Sequence, residues 1–161
     1  MRVGVVSDTH DNVANVGRIV ELFNASRVER VIHTGDITGA VTLDVMAHLA
    51  APLLGVYGNN DKERHSLAAA ARRHDMHFVD PPLSLTLAGR AIAVVHDPEE
   101  TGLDVLADHR VLLHGHTHRR VHEKRDGKLV LNPGECAGRM PGRNVVGVLD
   151  LVTLGVEFLT F

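Results

Sequence analysis

Three times in its first half, the chain runs from a short aliphatic strand into a polar loop and from that loop into a helix with apolar periodicity. Arg2 to Ser7 is a β-branched run that reads as a buried strand, and Asp8-Thr-His-Asp-Asn12 follows as loop. Val13 to Phe23 then places Val16, Ile19, Val20 and Phe23 at helical spacing, with Asn12 positioned as N-cap. Arg30 to His33, the loop Thr34-Gly-Asp36 and the helix Val41 to Leu49 repeat the pattern. So do Leu53 to Tyr57, the loop Gly58-Asn-Asn-Asp61 and the helix Glu63 to Arg73, which carries the alanine run Ala68 to Ala71. Such alternation demands a parallel sheet with right-handed crossovers.

From Leu83 onward the character changes. Short apolar runs are separated by the turn signals Ala88-Gly-Arg90, Asp126-Gly127 and Leu154-Gly155, which predict hairpins, and Thr101 to Ala107 alone reads as helix. Neither half has enough apolar length to close a core by itself. The expectation is a mixed α/β sandwich in which a parallel half and an antiparallel half share one interior. At 161 residues, with no linker or repeat, residues 1–161 read as a single domain.

Composition narrows the function. A 44% hydrophobic content excludes a disordered tail, and no apolar run is long enough to span a bilayer. The net charge of -3 offers polyanions no long-range attraction, and four Phe and one Tyr leave few rings for stacking bases, so nucleic acid is disfavoured as a partner. A lone Cys136 cannot form an internal disulfide, and with no basic-then-apolar leader the expected location is cytoplasmic. Histidine, at 12 residues, is the outlier.

In α/β sheets, loops at the carboxyl ends of strands converge on one crevice. Asp8 and His10 follow the first strand, Asp36 the second and Asn59 the third; His96 ends the Ala91 to Val95 run, and His116 and His118 follow Val111 to Leu113. All are oxygen or nitrogen donors. Asp36, Asn59 and His116 each directly follow a glycine, which permits a sharp turn. The one-residue spacing of Asp8/His10 and of His116/His118 puts each pair on one face of an extended segment, where each pair can share a metal. Taken singly, each of these short motifs is as common in turns and helix caps. Taken together, at successive strand ends, they are a ligand set.

Seven donors exceed the needs of one tetrahedral ion and suit two five- or six-coordinate ions sharing a carboxylate. Mixed imidazole and carboxylate ligation fits divalent manganese, iron, zinc or nickel, with manganese preferred here. Two such ions about 3.5–4 Å apart would activate a bridging water and clamp an in-line displacement at phosphorus. Other chemistries fail: the chain has no phosphate-binding Gly-Lys loop, no completed dinucleotide fingerprint and no paired zinc-protease histidines, and Cys136 has no evident base. His33 and His114 precede candidate loops and read as packing residues able to orient ligands, whereas His48, His65, His74, His77, His109 and His122 lack such placement. Arg119, Arg120, Lys124, Arg125 and Lys128 form a basic patch near His118 that could hold a second phosphate-bearing moiety.

The ordered blocks Asp8-Thr-His10, Gly35-Asp36, Gly58-Asn59, His96 and Gly115-His-Thr-His118 resemble those of the calcineurin-like metallophosphoesterases, and among them the small YfcE-type phosphodiesterases. Asn132-Pro-Gly134 is similar to a later family segment. The resemblance implies a four-layer α-β-β-α sandwich with mixed sheets, a small phosphoester substrate and self-association of the chain. It also implies that Asp8, His10 and His118 bind one metal, Asn59, His96 and His116 a second, and that Asp36 bridges them.

Two departures from the family pattern carry consequences. Where many relatives have histidine after Gly-Asn, this chain has Asn60, which can hydrogen-bond a phosphate but cannot protonate a leaving group. Diesters with acidic leaving groups are therefore expected over alkyl monoesters. Asp97 stands where relatives often carry glycine, and its charge disfavours highly anionic substrates beside it. The alternatives are a nuclease, which would need a basic aromatic groove or added domains, and an idle protein-interaction scaffold like the retromer subunit of this family, which would have lost ligands.

Overall fold

A computed structural model describes residues 1–100, 107–139 and 142–161. The first sheet begins with β1 (Arg2–Val6), β2 (Arg30–His33) and β3 (Leu53–Val56), which run parallel. They are joined by α1 (Val13–Ala25) and α2 (Ala40–Met46), and α3 (Arg64–Arg73) follows β3. As the sequence predicts, α1 buries Val16, Ile19, Val20 and Phe23, and the Asn12 side chain accepts the Asn15 N–H at 3.2 Å as its N-cap. Burying a side chain the size of Phe23 stabilises the fold by about 1.5–3 kcal/mol.

The next strand, β4 (His77–Val79), pairs in parallel with β3. Sequence periodicity gives no sign of it, because three residues at a sheet edge are too few to show alternation. The second sheet holds β5 (Leu83–Leu87), β6 (Arg90–Val94), β7 (Val111–Leu113), β8 (Val121–Arg125) and β9 (Lys128–Asn132), in the order β5-β6-β7-β9-β8. At the β5-β6 and β8-β9 turns, Ala88-Gly89 and Asp126-Gly127 all have positive φ, as tight two-residue hairpins require. The last hairpin, β10 (Val145–Asp150) and β11 (Val156–Thr160), does not join the second sheet. It returns to pair antiparallel with β1, so the first sheet reads β11-β10-β1-β2-β3-β4.

The expected division into a parallel and an antiparallel half is thus corrected. Both sheets are mixed: β10 covers the edge of β1 that would otherwise stay open, and β6-β7 and β7-β9 pair in parallel within the second sheet. The shared interior is as expected. Val3, Val5, Ile32 and Val56 meet Ile92, Val94, Val111, Leu113, Leu129 and Leu131 between the sheets, while alternate residues such as Val6 and Val31 face the helices. Ala93, Val95, Leu112 and Val130 form a separate cluster on the outer face of the second sheet. The helix expected at Thr101 to Ala107 lies, but for its last residue, outside the described residues. This α/β sandwich of two stacked mixed sheets brings the carboxyl ends of β1, β2, β3, β6 and β7 to one edge. There Asp8 N–H donates to Gly35 O and Gly115 N–H to His96 O, both at 3.0 Å.

Candidate metal centre

The seven predicted donors meet at that edge, in two groups. Asp8, His10, Asp36 and His118 each turn one donor atom inward, and these four atoms lie within 4.8 Å of one another. His118 Nε2 is 3.3 Å from Asp8 Oδ1, His10 Nε2 is 3.4 Å from Asp36 Oδ2, and the two imidazole nitrogens are 3.4 Å apart. In the second group, Asn59 Oδ1 is 2.9 Å from His96 Nε2 and 3.0 Å from His116 Nδ1. Asp36 touches both groups, because its Oδ1 is 3.4 Å from His96 Nε2.

Local backbone strain aims these side chains. Asp8, His10, Asp36, His116 and His118 all have φ between 44° and 66°, a conformation that non-glycine residues avoid at a cost of about 1 kcal/mol or more each. The extended geometry expected for the two one-residue-spaced pairs is therefore corrected. Asp8 and His10 still reach the same group, but His116 and His118 separate, one to each group. Glycine is obligatory beside them. A Cβ on Gly58 would lie 2.2 Å from Asp36 Oδ1, and one on Gly115 would lie 2.0 Å from Ser7 Oγ.

The donor chemistry fits cations. His96 Nδ1–H donates to Thr34 O at 2.9 Å, which leaves Nε2 as a bare lone pair facing the Asn59 oxygen. Two acceptors at 2.9 Å repel unless a cation or an extra proton lies between them. Donor separations of 2.9–3.4 Å are those of neighbouring ligands around an ion with bonds of about 2.1 Å. Asp8 Oδ1 is buried and faces the ring nitrogens of His118 at 3.3 Å and His10 at 3.9 Å, while Oδ2 accepts from Ser7 Oγ at 2.5 Å. Among the described residues, the ion-pair partners of Asp8 and Asp36 are histidines alone.

Electrostatics follow burial. Burial pushes the Asp8 carboxyl up, but hydrogen bonds from His118 and Ser7 outweigh it and leave Asp8 below the usual carboxylate range. Asp8 in turn raises His118. Burial lowers His10 despite the nearby Asp36 and Asp8 carboxylates, and it drives the fully buried His33 down to about 4.

Several residues that support the site were underweighted by the sequence. His33 accepts the Gly35 N–H on Nδ1 at 3.1 Å and meets Thr9 Oγ1 through Nε2 at 3.2 Å, tying the first two loops together. Asp61, which the sequence offers only as a loop residue, is buried and accepts N–H groups from Gly58 at 2.6 Å, Thr38 at 2.7 Å and Asp36 at 3.0 Å. Burial raises its carboxyl, with the Gly58 and Thr38 hydrogen bonds acting against the rise. Asn132 donates to Gly115 O at 2.8 Å and to Thr117 Oγ1 at 3.2 Å, holding the His116–His118 turn. Asn60 points at the centre, where its backbone and side-chain N–H groups donate to the two oxygens of Asp36 at 2.9 and 2.7 Å. Asp97 Oδ2 lies 3.4 Å from His116 Nε2, on the outer side of that ring. Cys136 is buried and its thiol is pushed up by burial, in keeping with an inert role. No described helix is long and apolar enough to cross a membrane.

Comparison with known proteins agrees with this architecture. The model of the calcineurin-like phosphoesterase superfamily domain matches residues 1–154. The chain belongs to that superfamily. A phosphodiesterase of Methanocaldococcus jannaschii is 34% identical over 154 residues, covering 93% of each chain. The solved structure of an archaeal phosphodiesterase superposes over the full length of both chains with a TM-score of 0.89 and 32% identity. YfcE, a phosphoesterase from E. coli, shares the fold at a TM-score of 0.74 and 22% identity over 99% of this chain and 98% of its own. The superfamily expected from the ordered blocks is the one found.

Proposed function

We propose that this chain is a dinuclear metal-dependent phosphodiesterase acting on small phosphodiester or nucleotide-type substrates. In this reading Asp8, His10 and His118 hold one divalent ion and Asn59, His96 and His116 the other, with Asp36 shared. Manganese is our choice, and iron, zinc or nickel suit the same donors. The observation that carries the proposal is Asp36 itself, whose two oxygens each lie 3.4 Å from a histidine nitrogen of a different donor group. When bound, the ions supply Lewis acidity, lowering the pKa of a water and neutralising charge that develops at phosphorus.

The chain's own residues prepare that chemistry. The Thr34 carbonyl fixes the His96 tautomer, and Asp61 locks the backbone of Asp36 and Gly58. Asn60 clamps the Asp36 carboxylate with two N–H donors. An amide has no proton to give at neutral pH, so the departing oxygen leaves on its own acidity. Attack of water at phosphorus with loss of an aryl oxide is then faster than loss of an alkoxide.

The test uses protein stripped by chelator, reloaded with Mn²⁺ and assayed on bis(p-nitrophenyl) phosphate and glycerol 2-phosphate. Activity on the diester should return with metal and exceed that on the alkyl monoester. Faster turnover of the monoester would refute the role given to Asn60.

A further inference from the structure

The candidate metal centre opens on the His118 side into a groove of about 420 Å³, a volume suited to a nucleotide-sized group. Arg120 and Arg143 line it together with His118 and Thr160. The Arg120 guanidinium lies over the Phe158 ring, 4.9 Å from its centre, which restrains the side chain and leaves its N–H groups free to bond. Glu135, next in sequence to the groove-lining Gly134, is buried and accepts the Ala137 N–H at 2.7 Å. The opposite end of the centre carries the other sign, with Asp97 against His116.

The basic patch expected from sequence supplies one residue to this groove. Arg125 pairs with Glu123, Lys128 donates to Ala107 O, and of those five residues only Arg120 lines the groove. Its partner in the groove, Arg143, comes from a segment about twenty residues further on.

We infer that the groove between Arg120 and Arg143 is a subsite for a second phosphate, carried by the substrate on the His118 side of the scissile diester. Planar guanidinium groups bind phosphate oxygens in pairs, and two from different segments converge on a cavity bordering His118. The acidic opposite end disfavours the reverse orientation, so the site reads a diester with its extra phosphate on one side only. A small substrate is favoured over a polynucleotide because, among the described residues, no Phe or Tyr lines the groove, and the Phe158 ring beneath Arg120 is covered by it.

This inference rests on the phosphodiesterase reading, and its test keeps the two apart. Thymidine 5′-(p-nitrophenyl phosphate) is compared, with and without a 3′-phosphate, as substrate of the Mn²⁺-loaded protein. Binding of thymidine 3′,5′-bisphosphate and thymidine 5′-monophosphate is measured by calorimetry. The doubly phosphorylated member should be preferred by about tenfold in kcat/KM and in Kd, the factor one charge-assisted hydrogen bond supplies. The ratio should fall toward one in Arg143→Gln and in Arg120→Gln, and because each ratio is taken within one protein, a general loss of activity leaves it readable. Equal Kd and kcat/KM values in the parent protein overturn the subsite and leave the phosphodiesterase reading standing. A retained binding preference with no hydrolysis of either ester overturns that reading alone. Much faster cleavage of a single-stranded oligonucleotide assigns the groove to a polymer and overturns the proposal.

Discussion

His33 makes the stability of the metal-free protein depend on acid in a way that can be calculated. Its ring is completely buried between the first two site loops, and it keeps both contacts only when neutral, since Nδ1 must accept the Gly35 N–H. Burial holds its pKa at about 4, against 6.5 for an unperturbed imidazole. Between those values the unfolded chain binds a proton that the folded chain refuses, so stability falls as pH drops through that window and is fully present above 6.5. At 1.36 kcal/mol per pH unit, the loss is about 2 kcal/mol at pH 5 and about 3 kcal/mol at pH 4. His33→Asn removes the titrating group and loses packing and hydrogen bonds at every pH. The variant should therefore be less stable than the parent at pH 7.5, and the gap should shrink by about 2 kcal/mol at pH 5. Urea unfolding in chelator at the two pH values measures this difference of differences. A gap that stays constant within about 0.5 kcal/mol would show that His33 titrates freely in the folded state.

Further outcomes follow from the same contacts. Asp61→Ala leaves three N–H groups without an acceptor, two of them buried, a loss of about 3 kcal/mol in unfolding free energy, with weaker Mn²⁺ binding in calorimetry. Gly58→Ala, whose new Cβ would press on Asp36, should abolish Mn²⁺ binding. Gly17→Ala, a helical position with nothing within 4 Å, should instead raise stability by about 0.5–1 kcal/mol in thermal or urea unfolding and leave metal affinity unchanged.

Much of this was legible because strand ends advertise themselves. The runs ending at Val6, His33, Val56, Val94 and Leu113 are apolar and short, so each polar residue just beyond stood out, and those loops do converge. Topology was harder to read. The β10-β11 hairpin has the pattern of any hairpin, and only the open edge of β1, a fact of three dimensions, draws it to the first sheet. Individual aim was hidden for a related reason. The His116–His118 spacing suits one extended face, and the left-handed backbone that sends the two rings to different groups depends on the grip of Asn132 on Gly115. Asp61 was invisible as an anchor because its partners are backbone N–H groups, which leave no trace in side-chain pattern.

The central claim is a pair of ions meeting at Asp36, and anomalous diffraction from crystals grown with Mn²⁺ tests it most directly. Two peaks should flank the Asp36 carboxylate, one among Asp8, His10 and His118 and the other among Asn59, His96 and His116, and both should weaken in Asp36→Ala. A map without peaks at those donors, or turnover of an aryl diester that survives complete chelation, would contradict the account.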